Sequence, residues 1–160
     1  MSKVLAIVVT YNAMRWMERC LGSLFASRLR PDVLVVDNGS ADGTREFVRE
    51  HFPAAELILS DGNPGFGAAN NIGLRLALER GYDFVYLLNQ DAWVEKDTLS
   101  TLVAAARPDY GILSPVQNDA SGRLDPWFSR KCSRYLKAAS AVAPDPRLVV
   151  DVPFVMAAHW

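Results

Sequence analysis

Val4-Leu-Ala-Ile-Val-Val9 is an unbroken apolar run, followed at once by the polar triplet Thr10-Tyr11-Asn12. A strand with one wet face alternates apolar and polar residues, whereas a continuous run needs cover on both faces. The segment therefore predicts a central strand of a parallel sheet. From Met14 to Ser27 the apolar residues Met17, Cys20, Leu21, Leu24 and Phe25 recur at helical spacing, with Arg15, Glu18, Arg19 and Ser23 between them, which predicts an amphipathic helix. Val33-Leu-Val-Val36 repeats the buried-strand pattern. Asp37-Asn-Gly-Ser-Ala-Asp-Gly43 then supplies turn residues before a helix that begins near Thr44 and places Val48 and Phe52 on one side.

The alternation continues. Leu57-Ile-Leu59 reads as a third strand, followed by the glycine-rich stretch Asp61 to Gly67 and a helix closed by Gly81. Phe84-Val-Tyr-Leu-Leu88 reads as a fourth strand. Asp97 suits the N-cap of a helix with Leu99, Leu102, Val103 and Ala106 on one face, and Pro108 stops it. This order predicts an α/β fold: an open, mostly parallel, Rossmann-like sheet with helices on both faces, which binds ligands beyond the carboxyl ends of its strands. From Ser114 to Ser133 the period is lost among Pro, Gly, Asn, Asp and aromatic residues, and a mixed, irregular region is expected there. Val152 to Ala157 reads as a last strand that runs apolar up to His159-Trp160 without a stop signal, so a C-terminally truncated chain is expected.

With 160 residues, 50% of them hydrophobic and 22% charged, the chain can bury one core, and a single domain is expected. A formal net charge of −1 provides no long-range field for nucleic acid, so nucleic-acid binding is not expected and any bound phosphate must be met locally. The two cysteines, Cys20 and Cys132, form no CxxC pair or Cys/His cluster, which argues against zinc and a disulfide scaffold and fits a reducing, cytoplasmic setting. No apolar run is long enough for a transmembrane segment, and no signal-type cleavage site is visible; peripheral association at the inner membrane face is compatible with this.

The residues that follow the strands are chemically pointed. They are Thr10-Tyr11-Asn12, Asp37-Asn38-Gly39-Ser40, Asn63-Pro64-Gly65-Phe66-Gly67 and Asn89-Gln90-Asp91, all expected at one edge of the sheet. That edge offers a carboxylate at Asp37 to accept from a base N–H, an aromatic platform at Tyr11, and a hard oxygen ligand for Mg²⁺ or Mn²⁺ at Asp91. Gly65 and Gly67 let the backbone come close to a ligand at a helix start, where free N–H groups favour anions. Together they describe a nucleoside-diphosphate site.

Four motifs in this order resemble family 2 glycosyltransferases of the GT-A fold: Val8-Val-Thr-Tyr-Asn12, Val35-Val-Asp-Asn-Gly-Ser-Ala-Asp-Gly-Thr44, Asn63-Pro-Gly-Phe-Gly-Ala-Ala-Asn-Asn-Ile-Gly73, and Leu87-Leu-Asn-Gln-Asp91 as a variant of the DxD motif. The resemblance covers roughly the first two thirds of the chain, and the Asn-Gln-Asp form is similar to rhamnosyltransferase-like members. It implies a nucleotide-binding set of Thr10, Tyr11, Asn12, Asp37, Asn38, Gly65, Asn70 and Asn89, with Asp37 on the pyrimidine base and Asp91 on a divalent Mn or Mg ion. Asn89 replaces the first acid of DxD, and Asn70 stands where many relatives carry Arg. The implied activity is transfer of a sugar, by inversion, from a UDP- or dTDP-linked donor to a glycan or lipid-linked acceptor in cell-surface polysaccharide synthesis. Residues 1–110 would then form the donor region and 111–160 the incomplete start of the acceptor region, with the catalytic base, unknown here, expected beyond Trp160.

Other readings compete with these assignments. Asp37 and Ser40 can form an Asx-type turn and cap the Thr44 helix, Asp91 can be a strand-end turn residue, and Tyr11 can be core packing. Trp93 and Trp127 can stack on a sugar or simply pack. Asp119 and Asp125 read as solvated loop residues, and His51 and His159 as structural. A non-catalytic nucleotide-sugar-binding module would share every motif. A nucleotidyltransferase would need a basic, glycine-rich loop directly after the first strand, where this chain has Thr10-Tyr11-Asn12-Ala13.

Overall fold

The structure, a computed structural model, describes residues 2–140. Two compact units divide it, Met1–Leu99 and Ser100–Trp160. The first holds β1 (Val4–Thr10), α1 (Met14–Phe25), β2 (Asp32–Asp37), α2 (Thr44–His51), β3 (Glu56–Leu59), α3 (Phe66–Glu79) and β4 (Phe84–Asn89). Helix α4 (Thr98–Ala105) begins at its end, and α5 (Pro126–Ser140) belongs to the second unit. The expected strand over 152–157 lies outside the described residues. Among the described residues no helix is long and apolar enough to cross a membrane.

All strand pairings are parallel, in the order β3-β2-β1-β4. β1 is interior to the sheet and every one of its residues is buried, as the unbroken apolar run requires. Its Val, Leu and Ile side chains each contribute about 1.5–3 kcal/mol by leaving water. Leu5, Ile7 and Val9 share a core cluster with Leu34, Val36 and the α3 residues Ala69 and Ala77. The alternate residues Ala6, Val8, Val33 and Val35 point to the opposite face and are equally buried. Right-handed crossovers account for both layers: β1-α1-β2-α2-β3 runs outward one way and puts α1 and α2 on one face, and the return from β3 to β4 puts α3 on the other. Met17, Leu21, Leu24 and Val48, each withdrawn from solvent, supply the apolar side of α1 and α2.

Helix α3 lies close against the sheet at Gly73, where an added Cβ would stand 2.5 Å from Ile7 Cδ1. It ends as expected at Gly81, whose φ of 64° lets the chain turn back. The N–H of Tyr82 then donates to Ala77 O (3.0 Å) and that of Gly81 to Leu78 O (3.3 Å), which satisfies two terminal carbonyls.

Register sets the carboxyl ends side by side, Thr10 opposite Asp37, Asp37 opposite Leu59, and Val9 opposite Asn89. The strand order reverses between β1 and β4. In open parallel sheets ligands bind beyond the carboxyl ends of the strands at such a reversal. Here that place is flanked by the segments after Thr10 and after Asn89, and both continue on the α1 face: the N–H of Val94 donates to Ser23 Oγ (3.1 Å) and that of Arg28 to Lys96 O (2.8 Å).

In the second unit the irregular region expected from Ser114 to Ser133 is only partly irregular, because α5 begins at Pro126. Asp125 caps it: the N–H of Phe128 donates to Asp125 Oδ1 (2.8 Å), and that of Ser129 to Asp125 O (2.8 Å). Asp125 is therefore a buried helix cap rather than a solvated loop residue. The Asp-Pro pair is an N-cap followed by proline at the first helical position, a start signal legible in the sequence.

Candidate functional site

The loop after β2 is built around Asp37. Its side chain is fully buried and both oxygens are occupied by donors of the chain. Oδ1 accepts from the N–H of Ser40 (2.9 Å) and Gly39 (3.2 Å) and from Arg45 Nε (2.6 Å). Oδ2 accepts from Thr10 Oγ1 (2.8 Å) and from the Ser40 hydroxyl. A carboxylate offers about four lone-pair directions, and five donors of the chain converge on them. Burial pushes the Asp37 carboxyl up, but the hydrogen bonds from Ser40, Arg45 and Thr10 outweigh it and hold the group below the usual carboxylate range. The Asx-type turn is what the geometry displays here, with a fixed charge at its centre.

The neighbouring loops are tied to this centre. Asn12 adopts φ 50°, a left-handed conformation that asparagine tolerates, and its N–H donates to Ser40 Oγ (2.9 Å) while its Oδ1 accepts from the N–H of Ala41 (2.9 Å). Ala13 N–H donates to Thr44 Oγ1 (2.9 Å) and Met14 N–H to Asp42 Oδ2 (3.0 Å), so the β2–α2 loop also caps α1. Asn38 is buried; its N–H donates to Thr10 O (2.7 Å), and its Oδ1 accepts from Ser60 Oγ (2.9 Å) at the end of β3. Three strand ends are thus laced into one rigid rim.

Tyr11 is 49% exposed, which removes core packing as its role and leaves an aromatic ring at the rim. Its backbone is clamped by Gln90 from the segment after β4: Tyr11 N–H donates to Gln90 Oε1 (2.8 Å) and Gln90 Nε2 donates to Tyr11 O (3.4 Å). This single amide links the two loops that flank the reversal in strand order. Asn89 ends β4 half-buried, and its carbonyl accepts from Ala92 N–H (3.1 Å) and Cys20 Sγ (3.6 Å). Asp91 follows, exposed to solvent. Cys20 is buried, and burial together with the Asp91 charge pushes its thiol up to about 12, which makes it inert filler.

Gly65 adopts φ 89° at the start of α3, and its N–H donates to Asn63 Oδ1 (3.1 Å). Asn70 does not join the network of Thr10, Asn12, Asp37 and Asn38. It is buried within α3, with Nδ2 donating to Phe66 O (3.0 Å). The residues missed from sequence are Arg45, which neutralises Asp37, Asp42 and Thr44, which cap two helices, and Gln90. Gln90 lies inside a quoted motif, but its partner is a backbone 79 residues away, which spacing does not reveal.

Among the described residues no three His, Cys, Asp or Glu side chains gather in a way that could hold a metal by themselves. A lone exposed carboxylate still suits Mg²⁺ or Mn²⁺ that arrives with a diphosphate, since such ions keep several waters and take one or two carboxylates plus substrate phosphates. Asp91 fits that donor set.

Glycosyl transferase family 2 matches residues 5–154. An undecaprenyl-phosphate mannosyltransferase of Micrococcus luteus is 33% identical over 108 residues, 66% of this chain and 44% of its own length. An N-acetylglucosaminyl-diphospho-decaprenol L-rhamnosyltransferase of Mycobacterium tuberculosis is 35% identical over 138 residues, 79% of this chain and 45% of its own length. The chain spans somewhat under half the length of these relatives. The mannosyltransferase PcManGT of Pyrobaculum calidifontis, solved with GDP-Man and Mn²⁺, superposes with a TM-score of 0.63 at 32% identity, over 72% of this chain and 36% of that one. S. aureus TarS superposes with a TM-score of 0.58 at 28% identity, over 64% of this chain and 32% of that one.

Proposed function

The chain belongs to glycosyl transferase family 2, and from that premise we propose that it works in the inverting transfer of a sugar from a UDP- or dTDP-linked donor to a lipid-linked acceptor, in cell-surface polysaccharide synthesis at the inner membrane face. The observation that carries this reading is the reversal in strand order between β1 and β4, where Gln90, next to Asp91, is bonded to the backbone of Tyr11. The relatives named for polyprenol-linked substrates support the acceptor class.

In this reading the exposed Tyr11 ring lies against the base and Asn38 and Asn89 border the nucleoside. The start of α3 at Gly65 offers the positive end of the helix dipole to the diphosphate. Asp37 acts through the rim: it fixes Thr10, Ser40 and Arg45 rather than touching the base. Asp91 would hold a divalent Mn or Mg ion, which supplies neutralisation of the charge building on the departing diphosphate. An acceptor hydroxyl attacks the anomeric carbon, the bond from that carbon to the diphosphate oxygen breaks, and the nucleoside diphosphate leaves with the electron pair; single displacement inverts the configuration. The acceptor proton passes to a base not assigned among residues 2–140.

A panel of UDP-, dTDP- and GDP-sugars, offered to the full-length protein with a polyprenol-linked acceptor, tests the assignment. Turnover with one UDP- or dTDP-sugar is expected, and turnover with GDP-sugars alone would contradict the donor class.

A further inference from the structure

One face of α5 concentrates a chemistry that the donor site does not use. The helix is held at its amino end by a small turn: Asp119 N–H donates to Arg123 O (2.7 Å), Asn118 pairs with Leu124, and Asp125 N–H donates to Gln117 O (2.9 Å) before Asp125 caps the helix. Phe128 and Cys132, four residues apart, are turned inward and buried. Trp127, Arg130, Lys131 and Arg134, at offsets of three, four and seven, form one stripe and are all exposed, the Trp at 61%. The Arg130 guanidinium lies 5.9 Å from the centre of the Trp127 ring, and Leu124, also exposed, precedes the helix. Among the described residues no carboxylate forms a salt bridge with Arg130, Lys131 or Arg134. The sequence of α5 contains no acid at all, although the whole chain carries a net charge of −1.

We propose that this stripe is a membrane-docking surface that seats α5 on a bilayer rich in anionic lipid. Charge complementarity selects the occupant: three exposed cations at helical spacing, on a helix without an acid, match a plane of lipid phosphates. Trp127 favours a bilayer over a soluble polyanion, because an indole ring is at home at headgroup level, with its apolar body toward the acyl chains and its N–H in the wet zone. The long cationic side chains lay their stems along the apolar boundary and their charges among the phosphates. The proposal does not depend on the donor-site reading, and loss of nucleotide binding would leave it standing.

The test is co-flotation of the full-length protein with vesicles of phosphatidylcholine alone and of phosphatidylcholine mixed with phosphatidylglycerol. Binding to the anionic vesicles only is expected, weakened by salt and accompanied by a blue shift of tryptophan emission that Trp127→Phe removes. The triple variant Arg130→Gln, Lys131→Gln, Arg134→Gln changes only exposed positions and should fold, with an unchanged circular dichroism spectrum. It should partition about a hundredfold less, since each cation near an anionic surface contributes about fivefold. Equal binding to both vesicle types, no binding, a triple variant that binds like the parent, or capture by soluble heparin without vesicle binding would each overturn the proposal.

Discussion

At the scale of single residues, Asp37 is the buried charge around which the loop after β2 is built. Its negative charge is what Arg45 and four further hydrogen bonds converge on, with no exposure to water. Asp37→Asn keeps the shape, removes the charge from Arg45 and turns an NH₂ toward groups that are donors themselves. Breaking a buried pair in this way costs about 3 kcal/mol, and urea unfolding should show that loss. The pH dependence follows in sign. The folded carboxyl lies below its unfolded value of about 3.9, so its stabilisation is complete above that value and is lost as pH falls through the folded one. Asp42 and Glu56 are shifted in the same direction. The parent should lose stability steeply below about pH 4, and Asp37→Asn should flatten part of that slope; an unchanged acid profile would contradict the account. The sequence displayed the turn in Asp-Asn-Gly-Ser but not the side chain's partners, because Thr10 and Arg45 reach it from other elements and only the folded loop brings them in.

At the scale of elements, Gly73 governs how closely α3 approaches β1. A methyl group there meets Ile7, itself fully buried in the central strand and unable to withdraw without shifting the sheet. Gly73→Ala gains about 1 kcal/mol of helix propensity and loses more to overpacking. A net destabilisation of about 1–2 kcal/mol should appear in thermal unfolding, and a stabilised variant would show that α3 can slide outward freely. The strands and first helices were legible because burial on both faces writes an unbroken apolar run and an amphipathic helix writes its own period. Helix α5 was not, since Pro126, the nearby Gly122 and scattered aromatic residues mask its period, and its capping pair Asp125-Pro126 sits among turn-like residues.

At the scale of the molecule, the sheet order decides which strand-end residues become neighbours. The strand-end clusters expected from sequence do lie together at one edge, with register placing Thr10 beside Asp37 and Val9 beside Asn89. Periodicity identifies which residues follow strands, and a parallel sheet then brings them to one edge whatever their order. The reversal between β1 and β4 depends on strand order, which periodicity leaves open, and so the Gln90 clamp on Tyr11 emerged only from the fold. The central claim is that the carboxyl ends of β1 and β4 hold a nucleoside diphosphate together with a divalent ion on Asp91. Calorimetric titration of UDP and dTDP, with and without Mn²⁺ or Mg²⁺, into the parent and Asp91→Ala tests it most directly. The account predicts at least tenfold tighter binding with metal in the parent, about 1.4 kcal/mol, and no metal dependence in Asp91→Ala. Equal affinity with and without metal in the parent, or no binding of either nucleotide, would contradict it.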